Sequence, residues 1–560
     1  MPAKLLTGDI NTIFSPNAVN DLLSLENGVR HIFSTSWLRT ISVLWGMVAV
    51  LTMAVAGPVR ADAEPASTPD AGCAGCLILT SMLIQGVSAY PLADLADTYD
   101  QQLARRVSVD DLVQSANAIT ARYRNDGYFL TRAVVAETDP AIGAARIVVF
   151  EGYISELKLT GDGARAVEPI LKPLVNQRPL TIGELDRRLS LASDVPGVKL
   201  TSRIEPIIGD PAQHRLVVET AMTSGSAGVY VDNRGSETQG PWQVYLSGAR
   251  NSTFIAGDQI TLGVLTVPDR PDELTYIDAS YSVVASGGGR VRFGVSGYET
   301  DAPLQNASGW VGGSSRMASV TLSHPLVRSR DKNLWLNAGL DVRRVEQNYV
   351  ATGRADETLT VARMSVAGQR RYSPGWMAGS VQLSKGIDAF GTTTERSPLN
   401  TRYDATGEFF KVNAQVSAYR DLSKFVGIYV EASGQWSDDA LLSSEEFFVG
   451  GPTYGRAYDY GEASGDKAVA GMIEARVGYD PKGDLITFAQ AFAFFDTAKV
   501  WNKTPGRDWS EQLTSAGVGS RITFDRKATL RIEFAKPLSR APYNQPDKGW
   551  RTFVSLSKQF

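Results

Sequence analysis

The chain has 560 residues, 43% of them hydrophobic and 21% charged, with a formal net charge of −4 at pH 7. That balance excludes a wholly disordered chain and a bundle of membrane helices, and it argues against a nucleic-acid binder that relies on a basic face. Three scattered histidines (His31, His214, His324) and two cysteines do not make a conventional zinc cluster, so neither a metal nor a cofactor is expected.

The first segment reads as a leader. No charged side chain occurs from Thr40 to Val59, Arg30 and Arg39 precede that stretch, Gly57-Pro58 breaks it, and Ala61-Asp62-Ala63 follows as a small-x-small cleavage site. This is the layout of a signal peptide over residues 1–63, with a long N-terminal extension. A retained membrane anchor is the rival, since about 20 apolar residues span a bilayer; either way the chain is exported. Residues 64–75 form a short linker with no helical apolar face, too short for a long plug helix. Cys73 and Cys76 lack the surroundings of a thioredoxin-like redox pair and read as a local staple or two inert thiols.

Residues 76–152 and 153–221 read as two small α/β modules. Ser108 with Asp111 makes a capping box, and Leu112, Ala116, Ile119 and Tyr123 recur at helical spacing until Gly127 stops the helix. Extended runs are expected over Tyr128–Glu137 and Ala145–Glu151. The layout then repeats: a strand through Ile154, Leu157 and Leu159, a helix capped by Thr181 and Glu184, and a hairpin of Val198–Ile208 with Arg215–Thr220. Gly161-Asp162-Gly163-Ala164-Arg165-Ala166 imitates a dinucleotide fingerprint. The strand before it carries Ser155, Glu156 and Lys158, whereas a first Rossmann strand is buried on both faces, so that reading fails.

Over residues 222–560 helical periodicity disappears and a period of two takes its place. Leu334, Leu336, Ala338, Leu340 and Val342 oppose Asn337, Asp341 and Arg343; Val426, Ile428, Val430 and Ala432 oppose Glu431, Ser433 and Gln435; Leu530, Ile532 and Phe534 oppose Arg531 and Glu533. A sandwich core would not accept Arg, Asp and Glu unpaired inside strands, whereas a transmembrane strand needs one apolar face and one face toward an aqueous lumen. Only a closed barrel satisfies every strand backbone group in lipid. The expected fold is therefore mainly β: a transmembrane antiparallel barrel of about 16 strands preceded by the two modules.

Several motifs, taken in order, carry a resemblance. They are Ser323-His324-Pro325-Leu326-Val327-Arg328-Ser329-Arg330, Gly434-Gln435-Trp436-Ser437, Leu441 to Gly451, Gly455-Arg456-Ala457-Tyr458 and Gly465-Asp466-Lys467-Ala468. Upstream stand Asp126 to Ala133 and Asp194-Val195-Pro196-Gly197-Val198. The series resembles the haemolysin/haemagglutinin secretion–activation transporters, the outer-membrane components of two-partner secretion, with two periplasmic POTRA modules. The resemblance implies a barrel in the outer membrane of a Gram-negative bacterium, monomeric, surrounded by lipid. It implies as partner a large secreted exoprotein of adhesin or haemolysin type, caught unfolded in the periplasm and conducted outward without ATP.

The resemblance also assigns residues. An arginine in a loop that folds back into the lumen carries over to Arg456, within a motif that includes Gly455, Tyr458, Gly465 and Asp466. An aspartate of an F-x-D-x-G strand carries over to Asp496 in Phe494-Phe495-Asp496-Thr497-Ala498. Arg456 and Asp496 are expected to form a fork-shaped ion pair. Two departures, Ala457 after the arginine and Ala498 after the aspartate, replace glycines and bear on the loop's seat. Tyr128, Arg132, Pro196 and Gly197 are candidate partner-recognition residues on the modules. Rival functions are an insertase of the same architecture, which usually carries more periplasmic modules, and a passive porin, which has no use for two. No clustered catalytic constellation or G-x-S-x-G elbow suggests an enzyme.

Overall fold

Residues 76–560, apart from 236–239, 304–309, 350–352, 482 and 504–508, are described in a computed structural model. The leader, the linker and Cys73 lie outside the described residues; Cys76 is disulfide-bonded. Residues 76–126 and 131–151 form one unit, and residues 127–130 with 152–560 form a second.

In the first unit, β1 (Leu77–Ile78) pairs antiparallel with β3 (Arg106–Val107). A three-stranded sheet is ordered β2 (Ser81–Gln85), β5 (Ala144–Phe150), β4 (Arg132–Asp139), with β2 parallel and β4 antiparallel to β5. Helix α1 (Val109–Asn125) starts where the Ser108 hydroxyl accepts the Asp111 N–H at 3.2 Å and the Asp111 carboxylate accepts the Ser108 N–H at 2.8 Å. The Ser108 N–H bond, with a bond from the Ser108 hydroxyl to the same carboxylate at 2.8 Å, holds the Asp111 carboxyl below its usual range. Its apolar stripe, Leu112, Ala116, Ile119 and Tyr123, is buried. The Tyr123 hydroxyl donates to Glu151 at 2.6 Å, and the Ser88 and Ala89 N–H groups donate to the same carboxylate at 2.7 and 2.9 Å. Burial opposes ionisation of Glu151, but these bonds and the Ser88 hydroxyl outweigh it and hold its pKa below 4.5. The extended run expected from Tyr128 begins only at Arg132, because Phe129 and Leu130 turn instead onto the core of the second module.

In that module, β6 (Tyr153–Thr160), β8 (Gln213–Met222) and β7 (Val198–Pro206) form a sheet in the order β6-β8-β7. Helices α2 (Ala164–Leu171) and α3 (Ile182–Ser193) cover it, enclosing Ile154, Val167, Ile170, Leu171, Leu191, Leu216 and Val218. The Thr181 hydroxyl caps α3 by accepting the Glu184 N–H at 3.2 Å.

The rest is the barrel. Its first half comprises β9 (Gly225–Asp232), β10 (Gln243–Asn251), β11 (Gln259–Thr266), β12 (Thr275–Val284), β13 (Arg290–Pro303), β14 (Trp310–Arg328), β15 (Lys332–Tyr349) and β16 (Gly353–Tyr372). The second half is β17 (Gly375–Gly386), β18 (Phe410–Asp421), β19 (Val426–Ser437), β22 (Lys467–Tyr479), β23 (Ile486–Asn502), β24 (Trp509–Phe524), β25 (Ala528–Pro537) and β26 (Arg551–Gln559). These sixteen strands close antiparallel, each beside its sequence neighbour, and β26 returns to β9 from Ser555↔Asp232 to Gln559↔Gly228. Two further short strands, β20 (Phe447–Val449) and β21 (Ala463–Gly465), lie inside the loop between β19 and β22 and pair with each other.

The wall inverts the pattern of a water-soluble protein. Exposed Val469, Ile473 and Val477 alternate along β22 with buried Ala470 and Glu474; on β25, exposed Phe534 stands between buried Glu533 and Ala535. Strands of 8 to 20 residues with apolar outer and charged inner faces fit a lipid-embedded cylinder. Among the described residues, no helix is long and apolar enough to cross a membrane.

Candidate functional site

The loop of residues 438–466 turns back from its rim and lays its tip against the inner wall. Gly455 occupies a left-handed conformation (φ +71°) that an L side chain rarely adopts, and its N–H donates to Asp496 Oδ1 at 2.6 Å. The following Ala457 N–H donates to Ser515 Oγ at 3.1 Å, and its carbonyl accepts from Arg551 at 3.0 Å. Ala457 is fully buried and is not among the positive-φ residues, so alanine takes the place of glycine there without backbone strain. The Tyr458 hydroxyl donates to the Arg540 carbonyl at 3.0 Å.

Arg456 is 1% exposed. Its fork does not engage Asp496, which corrects the expected pair. Nη1 donates to Glu474 at 2.9 Å, Nε donates to Glu533 at 3.2 Å, and Nη2 also bonds Glu533. The reason is geometric. The tip meets Asp496 through its backbone, one carboxylate oxygen accepting the Gly455 N–H, and the long side chain reaches past it to Glu474 on β22 and Glu533 on β25. Both glutamates serve other arginines: Arg476 and Arg521 on Glu474, Arg234 and Arg531 on Glu533. Arg234 donates at 3.1 Å to the Arg456 carbonyl as well.

The β23 motif explains the platform beneath. Phe492, Phe494, Asp496 and Ala498 face inward at spacing two, and the Arg456 guanidinium lies 3.5 Å from the Phe494 ring centre. Phe494 and Phe492 pair directly across the sheet with Gly517 and Gly519, where an added Cβ would sit 2.5 and 2.4 Å from the rings. A Gly-x-Gly opposite a Phe-x-Phe was visible in the sequence as a signal. The roles of Glu474 and Glu533 were hidden among ordinary strand carboxylates.

The exit of the loop is fixed by the Gly465-Asp466 pair. Gly465 lets β21 approach the backbone of Trp501, and Asp466 accepts the N–H groups of Leu441 and Lys503, each at 2.8 Å.

A second cluster lies where module two meets the barrel turns. Asp194, at the end of α3, takes a two-pronged bond from Arg328 Nε and Nη2 at 2.7 and 2.6 Å, and its carbonyl accepts from Arg290 at 3.0 Å. Arg330 pairs with Asp186 at 2.9 Å. Two sequence motifs over 130 residues apart are thus halves of one junction. This corrects the expectation for Pro196. Pro196 is buried and so not available to a partner, and Gly197 is half-buried where a Cβ would meet the Thr223 carbonyl at 2.4 Å and Asn251 at 2.5 Å, so both seat the module. Tyr128 is half-buried, and Arg132 is exposed at the start of β4.

In the first module β4 is an edge strand. Between it and α1 runs a groove of about 450 Å³, lined by Val109, Val113, Ala116 and Asn117 on the helix and by residues 133–138. Val109, Val113 and Val134 are exposed along it.

A family model described as haemolysin secretion/activation protein ShlB/FhaC/HecB matches residues 217–522, and a ShlB-type POTRA domain matches residues 77–152. The heme/hemopexin transporter protein HuxB of Haemophilus influenzae is 22% identical over 83% of this chain and 84% of its own length. The hemolysin transporter protein ShlB of Serratia marcescens is 22% identical over 64% of each. The solved structure of CdiB from Escherichia coli superposes with a TM-score of 0.72 at 18% identity, covering 88% of this chain and 93% of that one; at that identity the likeness concerns the fold.

Proposed function

The chain belongs to the haemolysin secretion/activation family of outer-membrane transporters, and from that premise we propose that it exports a large unfolded exoprotein from the periplasm through its barrel. The protein sits in the outer membrane of a Gram-negative bacterium with its POTRA modules in the periplasm, and it is a transporter, not an enzyme. The finer reading rests on one observation: a polar lumen occupied by a loop whose tip is held by ion pairs and backbone bonds, which can be released without breaking the wall.

In this reading the partner is an adhesin- or haemolysin-type exoprotein captured by adding a strand to the open edge of β4. Main-chain hydrogen bonds there accept many sequences, and the groove beside α1 takes alternate side chains. Folding of the partner outside draws it through without ATP, and one barrel suffices. The test looks among the neighbouring genes for a large exoprotein with an N-terminal secretion domain and co-expresses it with and without this chain, followed by assay of the medium. The partner should reach the medium only with the transporter, and Val113→Asp with Val134→Asp should lower its export severalfold while the barrel still inserts. Export without this chain would overturn the reading. A general loss of other outer-membrane barrels on its deletion would favour the insertase alternative.

A further inference from the structure

The 438–466 loop is held at a second place. β20 and β21 make it a hairpin, paired from Phe447↔Gly465 to Val449↔Ala463, so Glu446 and Asp466 flank its open base while Arg456 lies at its tip. Both carboxylates are buried, and both bind one guanidinium that comes from a different loop. Arg402, in the 387–409 loop between β17 and β18, donates from Nη1 to Asp466 at 2.6 Å, to Glu446 at 3.0 Å and to Asn502 at 3.2 Å. Its Nε is held by Asp404 at 2.8 Å, and Nη2 reaches Asp404 at 3.1 Å and the Lys503 carbonyl. The contact between the loops continues in apolar form, with Ala405 and Phe409 buried in one cluster with Leu441 and Leu442. The Thr401 hydroxyl accepts the Ser443 N–H at 3.2 Å.

We infer that Arg402 is a positioning residue for translocation: it pins the base of the inward hairpin, so the plug leaves the lumen only when the 387–409 loop lets go as well. The inference rests on reading the 438–466 loop as the plug. The chemistry is specific. Glu446 and Asp466 are the next facing positions below the last hairpin pair, and a shared cation draws them together. Without it, two buried like charges meet at the root of the hairpin and push its strands apart. A fork that satisfies both acids and Asp404 is a task for arginine and not for lysine.

The test is ion current through the full-length protein in planar lipid bilayers bathed in potassium chloride. Arg402→Ala should raise the opening frequency at least about tenfold over the native protein. Arg402→Lys, which keeps the charge without the fork, should fall between the two. Adding Arg456→Ala should open the channel further than either change alone. A Thr401→Cys/Ser443→Cys disulfide should return Arg402→Ala to native gating until a reductant is added, with reductant on the native protein as control. Native gating by a folded Arg402→Ala barrel, or indifference to the cross-link, overturns the inference. If Arg402→Ala does not fold, Glu446→Gln carries the same expectation at smaller amplitude and is read the same way. Arg456→Ala opening the channel while Arg402→Ala leaves it closed removes the second fastening alone. Silence of both removes the plug as well.

Discussion

Glu533→Gln is the substitution that separates the observed latch from a simple pairing of Arg456 with Asp496. The Glu533 carboxylate takes Arg456 Nε at 3.2 Å together with Arg456 Nη2, Arg234 at 2.7 Å and Arg531 at 2.6 Å. A glutamine keeps one accepting oxygen and turns an amide N–H₂ toward three guanidiniums, which lose their shared anion. Removing one partner of a buried ion pair costs about 3–5 kcal/mol. Arg456 retains Glu474 at 2.9 Å, so the lower end, about 3 kcal/mol, applies to the loop's seat. Asp496→Asn is milder. It preserves an oxygen for the Gly455 N–H and loses only the difference between a charge-assisted and a neutral bond, about 1 kcal/mol. In planar bilayers, channel opening should therefore rise about a hundredfold for Glu533→Gln and about fivefold for Asp496→Asn. The migration of unheated samples on detergent gels should confirm that both barrels remain folded. If Asp496→Asn opened the channel as far as Glu533→Gln, the latch would be the side-chain pair of Arg456 with Asp496 and not the shared glutamates.

Two further outcomes follow from the periplasmic part. Asp194→Ala should loosen the junction of module two with the barrel by about 1–2 kcal/mol, since the fork is half-buried and not fully dry; hydrogen exchange in the 329–331 turn should quicken accordingly, and the Asp194→Arg/Arg328→Asp exchange should slow it again. Glu151, whose pKa is held below 4.5 by bonds from Ser88, Ala89 and Tyr123, stabilises the first module while ionised. A depressed carboxyl pKa contributes above the unfolded value and is lost as the pH falls through the folded one. The gap in protease resistance between the native protein and Glu151→Gln should be wide at pH 7 and narrow as the pH drops below about 4.5.

Local chemistry was legible in the sequence where the partners are close along the chain. Ser108 and Asp111 cap α1 because their bonds span three residues, and the barrel announced itself because its two faces meet solvents of opposite polarity at spacing two. Strand β2 escaped notice because its partner β5 is over 60 residues away and parallel, which leaves no turn signal between them. Phe129 and Leu130 read as a strand on their β propensity, but a nearby core claimed them. Glu474 and Glu533 could not be singled out. Their meeting with Arg456 depends on which strands the folded-back loop crosses, a property of barrel closure and not of any local pattern.

If the 438–466 loop is read as a plug, the distribution of charge around Arg456 makes it both tight and removable. When the loop withdraws, Glu474 keeps Arg476 and Arg521, and Glu533 keeps Arg234 and Arg531. Neither glutamate is stranded in the wall, so the large penalty for an orphaned buried charge does not arise at those two positions. Arg456 moves with the loop toward water and is hydrated, while Asp496 gives up the Gly455 N–H and Arg551 gives up Asp459 and the Ala457 carbonyl. Closing regains three charge-assisted bonds and a ring contact 3.5 Å from Phe494. The wall is built the other way round: its arginines share their acids, so losing one glutamate strands several cations at once. The asymmetry is that Arg456 is expendable to the two glutamates, whereas each glutamate is indispensable to several arginines. It also places the durable fastening elsewhere, at the base of the hairpin, where Arg402 holds two acids together and leaving would bring like charges face to face.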